Sequence, residues 1–373
     1  MLSALLVVLA AQAVPAALDR AVERGIADGV FPGAVVVIGT GDQILVAKGY
    51  GHLTWDTRSN QPDPGQTLWD LASLTKVMAT MPSALILAAR GALDLDAPVA
   101  RYLPEFVGEQ RDAVRVRHLL THQSGLRAFL PLDTETATAA AARARVLAEP
   151  PRSRPGTRVE YSDLNAMLLG WVVEVVAGVS LDTFAMREVF TPLAMRDTQF
   201  RPGRALRRRM APVGSWRGTP IVGEIHDQNA MRLGGVAGHA GLYGTGLDVA
   251  RYAQFWLRGG AVLPDSLRRQ ATRRGPGNRG LGWEMRDTTT TDNSGQRFSP
   301  ATFGHTGYTG TSVWIDPERG LFVVLLTNRV YAPRTNRSIT LLKEVRGAVA
   351  DAAASFALVC LAGGPAGRAE AGC

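Results

Sequence analysis

Cysteine is nearly absent: the 373-residue chain holds only Cys360 and Cys373, both near its far end. Two thiols exclude a four-cysteine metal site and an internal disulfide framework, leaving at most one small loop to close in an oxidising compartment. Lysine is almost as scarce. Of 41 basic residues only Lys48, Lys76 and Lys343 are lysine and the other 38 are arginine. Apart from the run Arg207, Arg208 and Arg209 they are scattered, without interleaved aromatics, so the net charge of +8 reads as compositional bias rather than a nucleic-acid surface. That charge leaves room for weak attraction to anionic envelope polymers. The glycine clusters contain no G-x-G-x-x-G after a strand, which excludes a dinucleotide fold. Two histidines at i,i+4, His118 and His122, lack the glutamate of H-E-x-x-H, so no metal is expected there or at His226, Asp227 and His239.

What remains is an ordinary globular composition, 46% apolar and 20% charged. A chain this long buries roughly 75% of its unfolded surface, more comfortably in two lobes than in one core. Residues 1–18 carry no charge, and Leu2–Ala10 is mostly apolar. Ala11-Gln12-Ala13 has the small-x-small pattern of a signal-peptidase site, so residues 1–16 read as a signal peptide, although the basic start of such a segment is missing. The run falls slightly short of the about 20 residues of a spanning helix, so an uncleaved N-terminus would give at most weak membrane association. Export to the periplasm or cell envelope follows. Residues 351–373 read as a loose tail or a docked helix.

Between these ends, Ala34–Gly39 and Gln43–Gly49 flank Thr40-Gly41-Asp42 and read as a hairpin. Thr75–Ala89 is apolar all round and reads as a central buried helix. Helical patterns then dominate to about Met210, including Thr134–Leu147, Leu164–Val176 and Leu181–Glu188. Asp248–Leu257 follows, with Thr245 as its N-cap. Strands return at Leu281–Arg286, Thr311–Ile315 and Leu321–Thr327, and Arg337–Ala353 closes as a helix. Strands at both ends with helices between predict an α/β (α+β) lobe built from about 17–95 and 250–350, with a helical lobe, about 96–249, inserted in it.

Three short patterns carry chemistry. Ser73 and Lys76 form S-x-x-K at the mouth of the apolar helix, one turn apart on one face. Burial and the helix dipole both disfavour a lysine cation there, so Lys76 is expected to lose its proton easily and to accept that of Ser73. Tyr161-Ser162-Asp163 precedes the helix at 164: Tyr161 is placed to shuttle a proton or simply to pack, and Ser162 or Asp163 either caps the helix or orients a catalytic group. Gly304-His305-Thr306-Gly307-Tyr308-Thr309-Gly310 allows close backbone approach but is no phosphate loop. On the residues alone, His305 reads equally as a satisfied surface histidine.

Together and in order, these segments resemble the serine β-lactamase and penicillin-binding-protein superfamily, in its class C-like branch, over about residues 17–350. Thr67–Lys76 matches the first motif, Val116–Leu126 a helix-and-turn signature of the branch, Tyr161-Ser162-Asp163 the second motif and His305-Thr306-Gly307 the third. The resemblance implies an antiparallel sheet flanked by helices and a cofactor-free serine hydrolase acting through an acyl-enzyme. Ser73 would be the nucleophile, Lys76 its activator and Tyr161 the proton relay. Backbone N–H groups of Ser73 and Tyr308 would form the oxyanion hole, and Thr306 and Gly307 would line the edge strand that docks the substrate. Two departures stand out. Asp163 replaces the usual Asn, so it either favours a charged Lys76 or steers a substrate amine. His305 replaces Lys, exchanging a permanent cation for a group of ordinary pKa near 6.5 that can still donate one hydrogen bond. Both point away from an efficient β-lactamase toward an esterase or peptidase. The alternatives are a D,D-carboxypeptidase or weak β-lactamase, for which Arg334 or Arg337 would hold the substrate carboxylate, or a non-catalytic penicillin-binding-like protein. The expected partner is a small-molecule or peptide substrate, cell-wall peptide included, and no nucleic acid.

Overall fold

A computed structural model describes residues 16–260, 262–290, 293–331 and 339–362. The expected cleavage site, Arg334, Arg337 and Cys373 lie outside them, as does the side chain of Cys360. Strands β1 (Gly33–Thr40) and β2 (Ile44–Gly51) form the expected hairpin, with an irregular register at Ile38/Gly39. Four later strands complete a six-stranded antiparallel sheet: β3 (Glu284–Met285), β4 (Phe303–Thr306), β5 (Ser312–Asp316) and β6 (Leu321–Thr327). The spatial order is β2-β1-β6-β5-β4-β3, so β1 from the start of the chain pairs with β6 from its end. The strand expected over Leu281–Arg286 shrinks to the two residues of β3, and β4 is a strand that ends at Thr306, where the resemblance implies a substrate-docking edge.

Alternation explains why this sheet is covered on both faces. Val35 and Val37 of β1, with Phe322, Val324 and Leu326 of β6, face the larger core. Ala34, Val36 and Ile38, with Leu321, Val323 and Leu325, face the smaller one. Period-two side chains of one strand thus serve both layers, and the strands read as continuous apolar runs. The smaller core is closed by helix α1 (residues 16–27) and by the last helix, α5 (Ile339–Ala362), which runs nine residues past its expected end. No single helix among the described residues is long and apolar enough to cross a membrane.

The larger core holds α2 (Lys76–Ala89), α3 (Asp163–Ala177) and α4 (Gly246–Arg258). Thr245 caps α4 through its side chain, which accepts from the Asp248 N–H at 3.2 Å. The first turn of α2, Lys76–Thr80, is wound wider than an α-helix, with the Met81 N–H reaching the Lys76 carbonyl. Pro82 accounts for this: it has no N–H, and its ring would meet the Met78 carbonyl in a regular helix. The wide turn begins at the lysine of the S-x-x-K motif.

Candidate active site

The site is assembled where the mouth of α2, the mouth of α3 and the end of β4 meet. Ser73 sits in a turn held from several sides. Ala72 before it has φ +47°, a left-handed conformation costing an alanine about 1–2 kcal/mol. Asp70 holds that turn: its carboxylate accepts the N–H of Ala72 at 2.9 Å and of His226 at 2.8 Å. Burial, only partly offset by those two bonds, pushes the Asp70 carboxyl up to about 6. Thr309 and Thr311 donate to the carbonyls of Asp70 and Leu71, tying the loop after β4 to the same turn. A side chain at Gly307 would place its Cβ 2.1 Å from Thr311 Oγ1 and 2.7 Å from the Leu71 carbonyl, so only glycine lets this loop approach Ser73 so closely.

Lys76 is 4% exposed, and three acceptors surround its Nζ. These are Ser73 Oγ at 2.8 Å, the His239 carbonyl at 3.0 Å and Asp163 Oδ1 at 2.7 Å. The lysine therefore does not lose its proton easily, contrary to the expectation from its burial. Burial does oppose the ammonium, but the Asp163 carboxylate and the Tyr161 side chain outweigh it and hold Lys76 above the ordinary lysine range. Of the two roles open to Asp163, the structure shows the pairing with Lys76. Neither it nor Ser162 makes a side-chain cap on α3; Ser162 Oγ donates instead to the Arg127 carbonyl at 2.6 Å.

The Tyr161 ring lies among four other site side chains. Its centroid is 4.6 Å from that of His122 and 5.8 Å from that of His305. Lys76 Nζ is 5.0 Å from it, and the Arg279 guanidinium carbon 5.3 Å. His122, in the segment read as a family signature, is buried and accepts the Ser162 N–H at Nδ1. Burial, then Arg279 and Lys76, hold its pKa well down, so it is a neutral wall behind the tyrosine.

His305 is 2% exposed, not a surface histidine, and its Nδ1 lies 2.8 Å from the Thr306 carbonyl. A carbonyl only accepts, so Nδ1 carries the proton and Nε2 is a bare acceptor, buried and without a partner among the described residues. The one hydrogen bond that a neutral histidine can donate thus goes to its own strand's backbone and not into the site. Burial, then the cations of Arg279 and Lys76, push the His305 pKa well below 6.5, so the expected titration near that value is corrected. Along β4, β3 reaches Phe303 and Gly304 and stops short of Thr306, which is left on an open edge. Tyr308 follows, 62% exposed, with its ring centroid 5.3 Å from that of His226.

Arg279 was not singled out from the sequence. It enters because the segment before β3 bridges back on itself, with Arg279 opposite both Gly275 and Glu284, which carries the guanidinium over Tyr161. Its Nη2 lies 3.9 Å from Glu284, and its Nη1 is buried with no hydrogen-bond partner among the described residues. His226, Asp227 and His239 serve the site structurally: His239 Nε2 meets Asp227 Oδ1 at 2.9 Å while its carbonyl holds Lys76. Gly238 permits this, since a Cβ there would lie 1.9 Å from the Ala166 carbonyl.

A family model described as Beta-lactamase matches residues 18–346. The chain is 30% identical over 368 residues to a protein of Escherichia coli (strain K12) named "Putative D-alanyl-D-alanine carboxypeptidase", covering 85% of this chain and 82% of that protein. It is 32% identical over 357 residues to the "N-acetylmuramyl-L-alanine amidase" of Bacillus subtilis (strain 168), covering 84% and 81%. Among solved structures, EstCE1, described as a hydrolase with promiscuous acyltransferase activity, superposes with a TM-score of 0.75 at 22% identity, covering 92% of this chain and all of that one, a likeness of fold.

Proposed function

Because the chain belongs to the β-lactamase family and is a serine hydrolase of that superfamily, we propose that it cleaves the last amide bond of short cell-wall peptides that end in a free D-amino-acid carboxylate. The observation that carries this reading is Arg279. A guanidinium with a buried, unpartnered Nη1 beside Tyr161 suits a substrate carboxylate, and a neutral ester has no use for it. In this reading Arg279 takes the carboxylate-holding part expected of Arg334 or Arg337. The carboxypeptidase and amidase named among the relatives support the same preference over an esterase.

In the acylation step Ser73 Oγ attacks the carbonyl carbon of the scissile amide. Lys76 donates to Oγ rather than accepting from it, so it stabilises the negative charge growing there, and the serine hydrogen is left for another acceptor. Tyr161 takes that proton as it passes its own to the departing amine, and water reverses the relay in deacylation. The carbonyl oxygen becomes an oxyanion facing the N–H groups of Ser73 and Tyr308, each worth about 3 kcal/mol in comparable sites. Export on residues 1–16 would carry the enzyme to such peptides in the cell envelope. The test is D-alanine release from an acyl-D-alanyl-D-alanine peptide and from its C-terminal carboxamide. Arg279→Gln is expected to lower kcat/KM about 30-fold for the acid and less than threefold for the amide. Equal losses on both would overturn the reading.

A further inference from the structure

The loop that carries Tyr308 is backed by two arginines. Arg346, on α5, is 4% exposed, and its Nη2 donates to the Gly307 carbonyl at 2.9 Å and the Thr311 carbonyl at 2.8 Å. Its Nη1 donates to Asn293 Oδ1 at 3.2 Å. Arg329, just after β6, donates from Nε and Nη2 to the Tyr308 carbonyl at 3.2 and 2.9 Å. Burial, with Arg329 adding to it, pushes Arg346 down to about 9, which still leaves it charged at neutral pH. A buried guanidinium spent on carbonyl oxygens instead of a carboxylate is costly, and a loop of this length can be closed by backbone bonds alone. Gly307 N–H to the Thr311 carbonyl at 2.7 Å and Gly310 N–H to the Gly307 carbonyl at 3.1 Å already do so.

The position of the charge explains the expense. The Gly307 carbonyl and the Tyr308 N–H belong to one peptide unit. A cation bonded to the oxygen end of that unit draws electron density from it and makes the N–H at the other end a stronger donor. We propose that Arg346 is a positioning residue for the oxyanion hole, polarising and orienting the Gly307–Tyr308 peptide so that its N–H is aimed and strengthened toward the transition-state oxyanion. This rests on the acyl-enzyme reading above, in which the Tyr308 N–H is an oxyanion donor. No atom of Arg346 need touch substrate. The effect belongs to the tetrahedral state, in which charge on the oxygen is greatest, and not to ground-state binding.

The test uses the full chain carrying Arg346→Gln and Arg346→Lys, with kcat and KM on the acyl-D-alanyl-D-alanine peptide, the Ki of a phenylboronic acid, and the thermal midpoint. The boronic acid forms a tetrahedral anion on the nucleophilic serine and so reports on the hole directly. Arg346→Gln is expected to lose about 30-fold in both kcat and boronate affinity with KM within about twofold. Arg346→Lys, which keeps the charge but not the fork, is expected to lose only about three- to tenfold. An order Arg, Lys, Gln in boronate affinity, whatever the thermal midpoints do, supports the proposal. Lys and Gln falling equally, or boronate affinity unchanged while KM rises, overturns it and leaves Arg346 as loop packing. Should the Gln variant fail to fold, the Lys variant decides alone: a threefold or larger loss in kcat at unchanged KM supports the proposal and wild-type kcat overturns it. A boronate that binds wild type and Ser73→Ala alike would remove the acyl-enzyme reading itself, and this proposal with it.

Discussion

The helix wall and the strand wall of the site solve opposite electrostatic problems. On the helix wall, Lys76 is matched by a carboxylate, Asp163, 2.7 Å away, and its three donors are all used. On the strand wall, Arg279 Nη1 and His305 Nε2 are buried without partners among the described residues, and Arg346 lies behind the loop bonded to carbonyl oxygens. The helix wall is thus internally complete, whereas the strand wall is left with unspent donor and acceptor capacity. The division agrees with the chemistry proposed: the nucleophile's environment must be ready before substrate arrives, and the recognition surface must be finished by substrate.

The comparison can be broken most forcefully at Asp163. Lys76 is held above its unfolded value of 10.5, so the stability it contributes is complete below about pH 10.5 and is lost only as pH rises beyond that. Asp163→Asn leaves burial largely unopposed and depresses the lysine, and a depressed lysine destabilises the fold more as pH falls. The variant is expected to be less stable by about 3 kcal/mol at pH 6. The gap should narrow toward pH 10. Thermal midpoints of the two proteins across that range check both size and sign, and a gap that stays constant with pH would show that the pair does not set the charge of Lys76. On the strand wall the Arg279→Gln comparison above is the next largest effect. The smallest concerns His305, whose depressed pKa keeps it neutral from pH 6 to 8. The ratio of kcat/KM for the peptide acid to that for its carboxamide should stay within about twofold over that range, and so should the ratio in His305→Gln. An inflection near pH 6.5, present in wild type and absent from the variant, would restore the histidine as a titrating group.

The helix wall was also the more legible one. S-x-x-K and Y-x-D are short, local spacings at helix mouths, and their geometry follows from helical periodicity. Burial and dipole, both local, argue for a neutral Lys76, and of the two roles left open for Asp163 the one that favours a charged lysine outweighs them. On the strand wall, β5 and β6 are plain from their apolar runs, whereas β4 has no such run and is marked only by the resemblance, which puts Thr306 and Gly307 on an edge strand. Arg279 could not be picked from 38 arginines: no motif marks it, and its place over Tyr161 is created by the backward bridge to Glu284. His305 was recognised as a departure from lysine, yet its tautomer depends on the Thr306 carbonyl, a backbone geometry that composition does not encode. Arg346 sits on a helix read correctly as helix, with nothing in its own neighbourhood to say that it reaches Gly307.

The account stands on Ser73 as the nucleophile, and one measurement reaches it directly. The protein and its Ser73→Ala variant are incubated with a penicillin, digested and analysed by mass spectrometry, with D-alanine release from the peptide measured on the same preparations. A single adduct on the peptide containing Ser73, and a loss of D-alanine release of about 10⁴-fold or more in Ser73→Ala, is the expected result. An adduct on another residue, or a Ser73→Ala protein that releases D-alanine at the wild-type rate, would contradict it.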